Sequence, residues 1–130
     1  MKIGLDFHGV IDNAPEFFDI ITNLLIANSF HEIHIITGLT KKDVEPLLEK
    51  YSIAYTHLYS ITDDLLNEGL EHIIDNNGRP CFSGVEWSSA KAVYCKKNKI
   101  DIMLDDSDIY GKYFITPYFK MEYKSKRVKA

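Results

Sequence analysis

The chain has 130 residues, of which 45% are hydrophobic and 26% charged, so it has the size and composition of one globular domain rather than of a disordered or fibrous protein. Its two cysteines, Cys81 and Cys95, have no C-x-x-C spacing, which argues against a disulfide framework or a zinc site and predicts buried or idle thiols. The formal net charge is -4, but residues 120–130 carry five basic side chains against one acidic one, so positive charge is concentrated at this end.

The first element is a short apolar segment, Lys2 to Phe7, whose β-branched and aromatic residues are typical of a buried parallel strand. The carboxylate of Asp6 interrupts the apolar stretch that a signal peptide requires, and no later apolar run approaches the roughly 20 residues of a membrane span. We therefore expect a soluble, cytoplasmic protein with no membrane partner.

The segment after this strand predicts an amphipathic helix. Asn13 is the expected N-cap, with Glu16 as its reciprocal partner in a capping box. The face that would pack on the sheet consists of five apolar residues at helical spacing: Phe17, Ile20, Ile21, Leu24 and Leu25.

A second strand and a second helix follow. Residues Glu32 to Thr37 form a short β-branched run, and Gly38 comes directly after it. The next helix is expected around residues 43–51 with Asp43 as its cap, because Pro46 fits best near the start of a helix. Its buried face would contain Val44, Leu47, Leu48 and Tyr51.

The pattern is weaker between residues 51 and 83. This part contains a strand-like run from Ile53 to Tyr59 and a short helix capped by Thr62. Two further runs, Glu71 to Ile74 and Arg79 to Phe82, flank an Asn-Gly pair, which is typical of a β-hairpin turn. Residues 70–83 therefore predict a small flap.

The last predicted helix leads directly into a third buried strand, Asp101 to Leu104. Ser83 to Glu86 form a second capping box at the start of this helix. Its inward face would contain Ala90, Val93 and Tyr94. Its C-terminus carries cations that suit the helix dipole: Lys96, Lys97 and Lys99.

The alternation of strands and helices predicts an α/β fold, a three-layer Rossmann-like parallel sheet with right-handed crossovers and helices on both faces. We expect residues 1–119 to form the core and residues 120–130 a basic C-terminal tail, either a solvated terminus or a segment that attracts a polyanion. Ligands of such sheets bind beyond the carboxyl ends of the strands.

Polar side chains lie at the ends of three of the predicted strands. Asp6 and His8 are at the end of the first, Thr37 is at the end of the second, and Asp105 and Asp106 follow the third. Each alone is most often a helix cap or turn former. Together they predict a site, because carboxylates from two strand ends would repel each other unless a cation or a proton lay between them. Hard oxygen ligands suit Mg²⁺ better than zinc or copper.

A phosphoryl group would fit beside such a cation. The Thr37 hydroxyl and the backbone N–H groups near Gly9 and Gly38 could contact its oxygens. Lys91, early in the last helix, could supply an ammonium from the other side.

Four segments together resemble the motifs of the haloacid dehalogenase superfamily, in the family order and over Leu5 to Asp108. They are Leu5-Asp6-Phe7-His8-Gly9-Val10-Ile11-Asp12, then Ile35-Ile36-Thr37-Gly38, then Lys91, and finally Leu104-Asp105-Asp106-Ser107-Asp108. The resemblance implies a HAD-like fold and a Mg²⁺-dependent phosphatase acting on phosphomonoesters.

The resemblance also implies roles for individual residues. Asp6 would be the nucleophile that forms an aspartyl-phosphate, which water then hydrolyses. Thr37 and Lys91 would bind the phosphoryl group. The ligands of Mg²⁺ would be Asp6, the backbone carbonyl of His8, Asp105 and Asp106.

The departure from the family pattern is His8, which stands where the phosphatases have a second aspartate that acts as the acid and base. An imidazole, with an ordinary pKa of about 6.5, can exchange protons near neutrality, although a nearby Mg²⁺ would disfavour its cationic form. Three alternatives stay open: a working phosphatase, a catalytically weak or inactive phosphate- or nucleic-acid-binding relative, and other chemistry of the family.

Only about 20 residues separate the first motif from the second strand, which leaves no room for a full cap domain there. Capless members of the family often act on large substrates or obtain a lid by oligomerising. We therefore expect an open site with a phosphorylated small molecule or nucleic-acid end as substrate. Whether a homo-oligomer supplies a lid stays open. A vestigial site on a protein that binds nucleic acid through its basic tail is a further alternative.

The remaining candidate residues favour packing over chemistry. The other histidines are too scattered in sequence to predict a metal site, and His34, which alternates within a strand, is expected to be packed or hydrogen-bonded. Trp87, Tyr110 and Tyr113 either wall the site or cover neighbouring helices, with packing the more common role.

Overall fold

The computed structural model describes residues 1–28 and 30–122 of the chain and has a five-stranded parallel sheet at its centre, in the order β3-β2-β1-β6-β7. The strands are β1 (Lys2–Leu5), β2 (Glu32–Thr37), β3 (His57–Ser60), β4 (Ile73–Ile74), β5 (Pro80–Cys81), β6 (Ile102–Asp105) and β7 (Tyr118–Lys120). The helices are α1 (Pro15–Ala27), α2 (Lys41–Lys50), α3 (Ile61–Asn67), α4 (Val85–Lys97) and α5 (Asp108–Gly111). The prediction of an α/β, Rossmann-like parallel sheet is confirmed.

Helices cover both faces of the sheet because the side chains of β2 alternate between two cores. Ile33 and Ile35 pack with Val44 and Leu48 of α2 in one buried cluster, to which Phe18 of α1 also belongs. A second buried cluster, which includes Cys95 of α4, consists of Ile36, Cys95, Ile100 and Met103. The sheet is therefore buried on both sides, as its continuous apolar strands predict.

Helix α1 packs on the sheet through a face that only partly matches the predicted one. Of the predicted residues, Leu25 packs against the core, whereas Phe17, Ile20 and Leu24 are each more than half exposed. The buried residues of the helix are Phe18 and Thr22. Thr22 can occupy a buried position because its hydroxyl donates to the carbonyl of Phe18 at 2.6 Å and accepts from the N–H of Ala54 at 3.1 Å. The buried face is thus rotated by one residue relative to the apolar pattern.

The predicted helix starts are wrong at several places. The N-cap of α1 is Ala14, without a side-chain hydrogen bond, rather than Asn13, whose side chain instead donates to the carbonyl of Glu122. The N-cap of α4 is Gly84, so the capping box expected from Ser83 is absent from this helix. Because the local sequence offers several capping side chains, the tertiary path of the chain decides which residue is used.

Helices α2 and α3 begin earlier than predicted. Thr40 caps α2 by accepting a hydrogen bond from the N–H of Asp43, and Pro46 therefore lies inside the helix. Ser60 caps α3, whereas the hydroxyl of Thr62 donates to the carbonyl of Gly38 at 2.6 Å. The predicted buried face of α2 is confirmed, with Val44 and Leu48 fully buried and Leu47 and Tyr51 packed beside them.

In the rest of the chain, one predicted element is confirmed, one residue departs from its prediction, and one strand was not predicted. Strands β4 and β5 pair in an antiparallel hairpin, as the Asn-Gly pair predicts. Val93, predicted to face inward, is 60% exposed. Strand β7 was not predicted and includes Lys120, which pairs with Asp105 in register, while the other basic residues of the tail lie outside the described residues.

In the part of the chain that the structure describes, no helix has both the length and the apolar character needed to cross a bilayer.

Candidate active site

The carboxyl ends of β1 and β6 bring two carboxylates together at the centre of the sheet. Leu5 pairs with Leu104 in register, and the N–H of Asp6 donates to the carbonyl of Leu104 at 3.0 Å. Asp6 and Asp105 therefore leave adjacent strands at the same edge. From β1 the chain adds β2 and β3 on one side, and it then returns across the sheet to add β6 on the other side of β1. The strand order therefore reverses between β1 and β6, where the two carboxylates lie. This switch point is the usual place of a ligand site in such sheets.

The ammonium of Lys91, on α4, bridges these two carboxylates. Its Nζ lies 2.8 Å from Oδ2 of Asp105 and 3.0 Å from Oδ1 of Asp6. Asp105 is fully buried, Lys91 is 2% exposed and Asp6 is 6% exposed. A buried cation with two anionic partners is held by charge-assisted hydrogen bonds that a surface pair could not provide.

Burial and neighbouring carboxylates raise the pKa values of Asp6 and Asp106 at this edge of the sheet. Burial raises the pKa of Asp6 to about 7, and the nearby Asp105 adds to this rise, while Lys91 opposes it. The pKa of Asp106 is also raised, first by burial and then by its interaction with Asp105. Burial alone would lower the pKa of Lys91, but the attraction of the two carboxylates outweighs it, so the net shift is upward and the amine stays cationic.

Three acidic residues at this edge form a group that can hold a metal ion. Asp6, Asp105 and Asp106 each offer a carboxylate oxygen, and these oxygens lie within 4.8 Å of one another. When ionised, the three carboxylates and the Lys91 ammonium together leave a formal charge of about -2 in a largely buried place. A divalent cation that prefers oxygen ligands fits both the donor set and this charge.

Gly9 shapes the turn that follows β1. Residues Phe7–Ile11 form one wide helical turn, closed by a hydrogen bond from the N–H of Asp12 to the carbonyl of Phe7, and Gly9 has a φ of +81° within it. A Cβ at position 9 would also collide with the carboxylate of Asp106. The turn and the position of Asp106 therefore both require glycine.

The backbone N–H of Gly9, predicted to contact phosphate, has a partner within the chain. It donates to Oδ1 of Asp12 at 2.7 Å, and the other oxygen of Asp12 lies 2.8 Å from Nδ1 of His8. The His8 side chain is 62% exposed and lies at the cavity described below. Asp12 thus positions both groups, a role that was not predicted, although its spacing of four residues from His8 is a usable signal.

Thr37 and Gly38 lie beside this group at the end of β2. The Thr37 hydroxyl is buried and accepts a hydrogen bond from the N–H of Leu39 at 3.1 Å, which leaves its own proton for another acceptor. Gly38 lies against the indole of Trp87, where a Cβ would approach the ring to 3.1 Å. The sheet brings Asp6 and Thr37 to one cavity, and α4 brings Lys91 to the same cavity, as predicted.

The cavity has a volume of about 610 Å³ and opens above Asp6. The hairpin β4–β5 forms part of its wall through residues 78–81, so the predicted flap lies at the site. Trp87 and Tyr110 line it as well, which favours the first of the two roles considered for them. Lys42 and Arg79, which the sequence did not single out, add two cationic side chains.

A second group of potential metal ligands lies elsewhere, on the amino-terminal parts of β2 and β3. Glu32, His34 and His57 each offer a ligand atom within 4.8 Å of the others. His34 is buried and lies 2.7 Å from the hydroxyl of Tyr94 and 2.9 Å from Glu32, which confirms the prediction that it is packed and hydrogen-bonded. Internal hydrogen bonding accounts for this group without an ion.

We compared the chain with models of known protein families, with curated proteins and with solved structures, and found no match in any of the three comparisons.

Proposed function

We propose that this protein is a Mg²⁺-dependent phosphatase of the haloacid dehalogenase type, which hydrolyses phosphomonoesters through an aspartyl-phosphate on Asp6. The observation that carries the proposal is the buried bridge of Lys91 between Asp6 and Asp105, beside the hydroxyl of Thr37 at a large cavity. A nucleophilic carboxylate, a fixed cation and a phosphoryl-binding hydroxyl are the groups that phosphoryl transfer requires.

The contacts of Asp6 suit a nucleophile. Its Oδ1 accepts hydrogen bonds from the Lys91 ammonium at 3.0 Å and from the N–H of Phe7 at 2.8 Å. These bonds orient the carboxylate, and Oδ2 is the oxygen proposed to attack phosphorus. The new P–O bond forms as the bond to the ester oxygen breaks, which gives the aspartyl-phosphate and an alcohol.

Lys91 and Thr37 stabilise the charge that develops during this step. The Lys91 ammonium is already close to Oδ1 of Asp6, so it can also contact an oxygen of a phosphoryl group bonded to Asp6. Mg²⁺, held by Asp6, Asp105 and Asp106, would supply neutralisation of the phosphoryl charge. The contribution of the His8 backbone carbonyl to this ligand set stays a prediction.

His8 is the proposed acid and base. Its Nδ1 faces the carboxylate of Asp12, which favours the tautomer with the proton on Nδ1 and leaves Nε2 to exchange protons with substrate. In the first step Nε2 donates a proton to the leaving alcohol oxygen. In the second step it accepts a proton from the water that attacks the phosphorus and frees Asp6.

The proposal predicts Mg²⁺-dependent release of phosphate from a generic aryl phosphate and its loss when the metal is chelated. His8→Ala is expected to lower the turnover rate by about 10²- to 10⁴-fold, because proton transfer would be lost while the buried groups stay in place. The exposed His72 offers a matched control, since His72→Ala should leave the rate unchanged. An equal rate in His8→Ala and in the unaltered protein would refute the role of His8.

A second candidate function, phosphate binding with little turnover, is favoured by the exposure of His8. Its side chain is 62% exposed, so little of the structure holds the imidazole against a bound phosphoryl group, whereas Asp6, Thr37 and Lys91 are buried. In that case beryllofluoride together with Mg²⁺ would raise the melting temperature while phosphate release stayed absent. His8→Asp, which restores the family's usual residue, would then create activity instead of reducing it.

A further inference from the structure

The cavity above Asp6 is far larger than the phosphoryl group that the proposed reaction transfers. Its volume of about 610 Å³ is in the range of pockets that enclose a whole small molecule, roughly 300–1,000 Å³. A phosphoryl group in contact with Lys91 and Thr37 would fill only the end of the cavity next to the sheet. The remaining space must accommodate the group that the phosphate is attached to.

An aromatic wall begins next to the proposed reaction centre. The Nζ atom of Lys91 lies 5.2 Å from the centroid of the Tyr110 ring, so that ring flanks the phosphoryl end of the cavity. The hydroxyl of Tyr110 accepts a hydrogen bond of 2.8 Å from Nε1 of Trp87. The two rings thus form a continuous wall, from the phosphoryl end outward, that is fixed by their own hydrogen bond.

The position of Trp87 is determined by the groups behind it. Its ring lies over Phe82 with an interplanar angle of 8° and a centroid distance of 6.0 Å, and its edge contacts Gly38. A ring that is packed in this way loses little freedom when a ligand stacks on it. Trp87 is therefore a prepared surface for a planar group.

Cationic side chains lie at the same cavity. Arg79 comes from the hairpin β4–β5 and Lys42 from the first turn of α2, so the two approach from different elements. Both are exposed, and Asp43 and Asp75 line the same part of the cavity, so this outer part is polar and mixed in charge, while Lys91 is the cation at the inner, phosphoryl end. A ligand with an anionic end and a planar, polar end matches this distribution.

We infer that the substrate is a nucleoside monophosphate, either free or at the end of a nucleic-acid strand, whose base packs on the wall formed by Trp87 and Tyr110. This inference rests on the proposed function, since it places the phosphate at Asp6. A sugar phosphate or a phosphorylated serine has no planar group that could use this wall. Stacking of a base on such a ring contributes about 10- to 100-fold in affinity.

The test uses Asp6→Asn with Mg²⁺, which binds substrate without consuming it, and the fluorescence of Trp87, the one tryptophan of the chain. Adenosine 5′-monophosphate should quench this fluorescence and bind about 10- to 100-fold more tightly than ribose 5-phosphate. A strand of a few nucleotides with a 5′-phosphate distinguishes the two sources. Tighter binding of this strand than of the mononucleotide indicates a nucleic-acid end, and weaker binding a free nucleotide.

Variants of two neighbouring tyrosines test whether the base packs on the wall formed by Trp87 and Tyr110. In the Asp6→Asn background, Tyr110→Leu should remove most of the preference for the mononucleotide over ribose 5-phosphate. Tyr113→Leu, three residues further along the chain and outside the cavity lining, should preserve it. Equal affinities for the two ligands, absence of binding by the mononucleotide, or the same loss in both tyrosine variants would overturn the inference.

The outcomes separate this inference from the proposed function. Hydrolysis of an aryl phosphate without a preference for the mononucleotide would support the phosphatase and refute the nucleotide substrate. Preferential binding of the mononucleotide without hydrolysis of any ester would support the nucleotide site and refute turnover.

Discussion

Asp6→Asn is expected to lower Mg²⁺-dependent phosphate release by at least about 10³-fold while the protein stays folded. An amide oxygen is a poor nucleophile at phosphorus, although it can still serve as a ligand of the metal beside Asp105 and Asp106. Folding should persist because Lys91 keeps its 2.8 Å contact with Asp105. Phosphate release from an aryl phosphate, measured beside a thermal melt, gives both quantities.

The same substitution should change how stability depends on pH. Burial raises the pKa of Asp6 from 3.8 to about 7, so the folded state binds a proton that the unfolded state releases between these values. Ionisation of Asp6 therefore weakens the fold as the pH rises from 4 to 7, whereas asparagine has no such cost. Without Mg²⁺, the variant should gain stability relative to the unaltered protein over this interval, as measured by urea denaturation.

Asp108→Asn provides the matched control for Asp6→Asn. Asp108 belongs to the same acidic segment as Asp105, but its side chain is 80% exposed and pairs with Lys120 at 2.8 Å. Its substitution should leave turnover unchanged, because it lies outside the group of carboxylates at the strand ends. Turnover of Asp6→Asn within about 10-fold of the unaltered protein, or an equal loss in both variants, would contradict the assignment of Asp6 as nucleophile.

The sheet could be predicted from the sequence because its strands are short β-branched runs that are buried on both faces. The runs at β1, β2 and β6 are of this kind, and their period does not resemble that of a helix. Strand β7 escaped prediction, since three residues at the edge of a sheet give too short a pattern. The prediction of the buried face of α1 was partly wrong because Thr22, a polar residue, occupies a buried position. Its hydroxyl is satisfied by two hydrogen bonds, which a pattern of hydrophobic residues cannot reveal.

The strand-end residues of the site were predictable for a geometrical reason. Parallel strands end at one edge, so polar residues that directly follow them must lie close together wherever the strands are adjacent. Asp6, Thr37 and Asp105 satisfy this condition, and the sheet order places β1 between the other two strands. The sequence does not show which strands are adjacent in the sheet, because the tertiary structure determines the strand order.

The residues that were missed reach the site from elements whose position the sheet does not determine. Arg79 belongs to the hairpin, and Lys42 lies at the start of α2. Asp12 was overlooked as a functional residue because its contacts with His8 and Gly9 depend on the wide turn after β1, a conformation that requires the left-handed φ of Gly9. Local turn geometry of this kind is not encoded in a hydrophobic pattern.

Lys91→Met is expected to destabilise the fold by about 3–5 kcal/mol in the absence of Mg²⁺, because it leaves two buried carboxylates facing each other without a cation. Asp105 is fully buried, so water cannot screen the repulsion between it and Asp6. Methionine keeps most of the length and volume of the lysine side chain, so the loss should arise from charge and not from a cavity. Urea denaturation with and without Mg²⁺ measures the effect.

Mg²⁺ should recover part of this loss, and its stabilising effect should be larger in Lys91→Met than in the unaltered protein. A divalent cation bound by Asp6, Asp105 and Asp106 would neutralise the negative charge of the carboxylates, which the Lys91 ammonium neutralises in the unaltered protein. Lys97→Met, at the exposed end of the same helix, should change stability by no more than about 0.5 kcal/mol and leave the response to Mg²⁺ unaltered. If Mg²⁺ stabilised all three proteins equally, the carboxylates at the strand ends would not be its ligands.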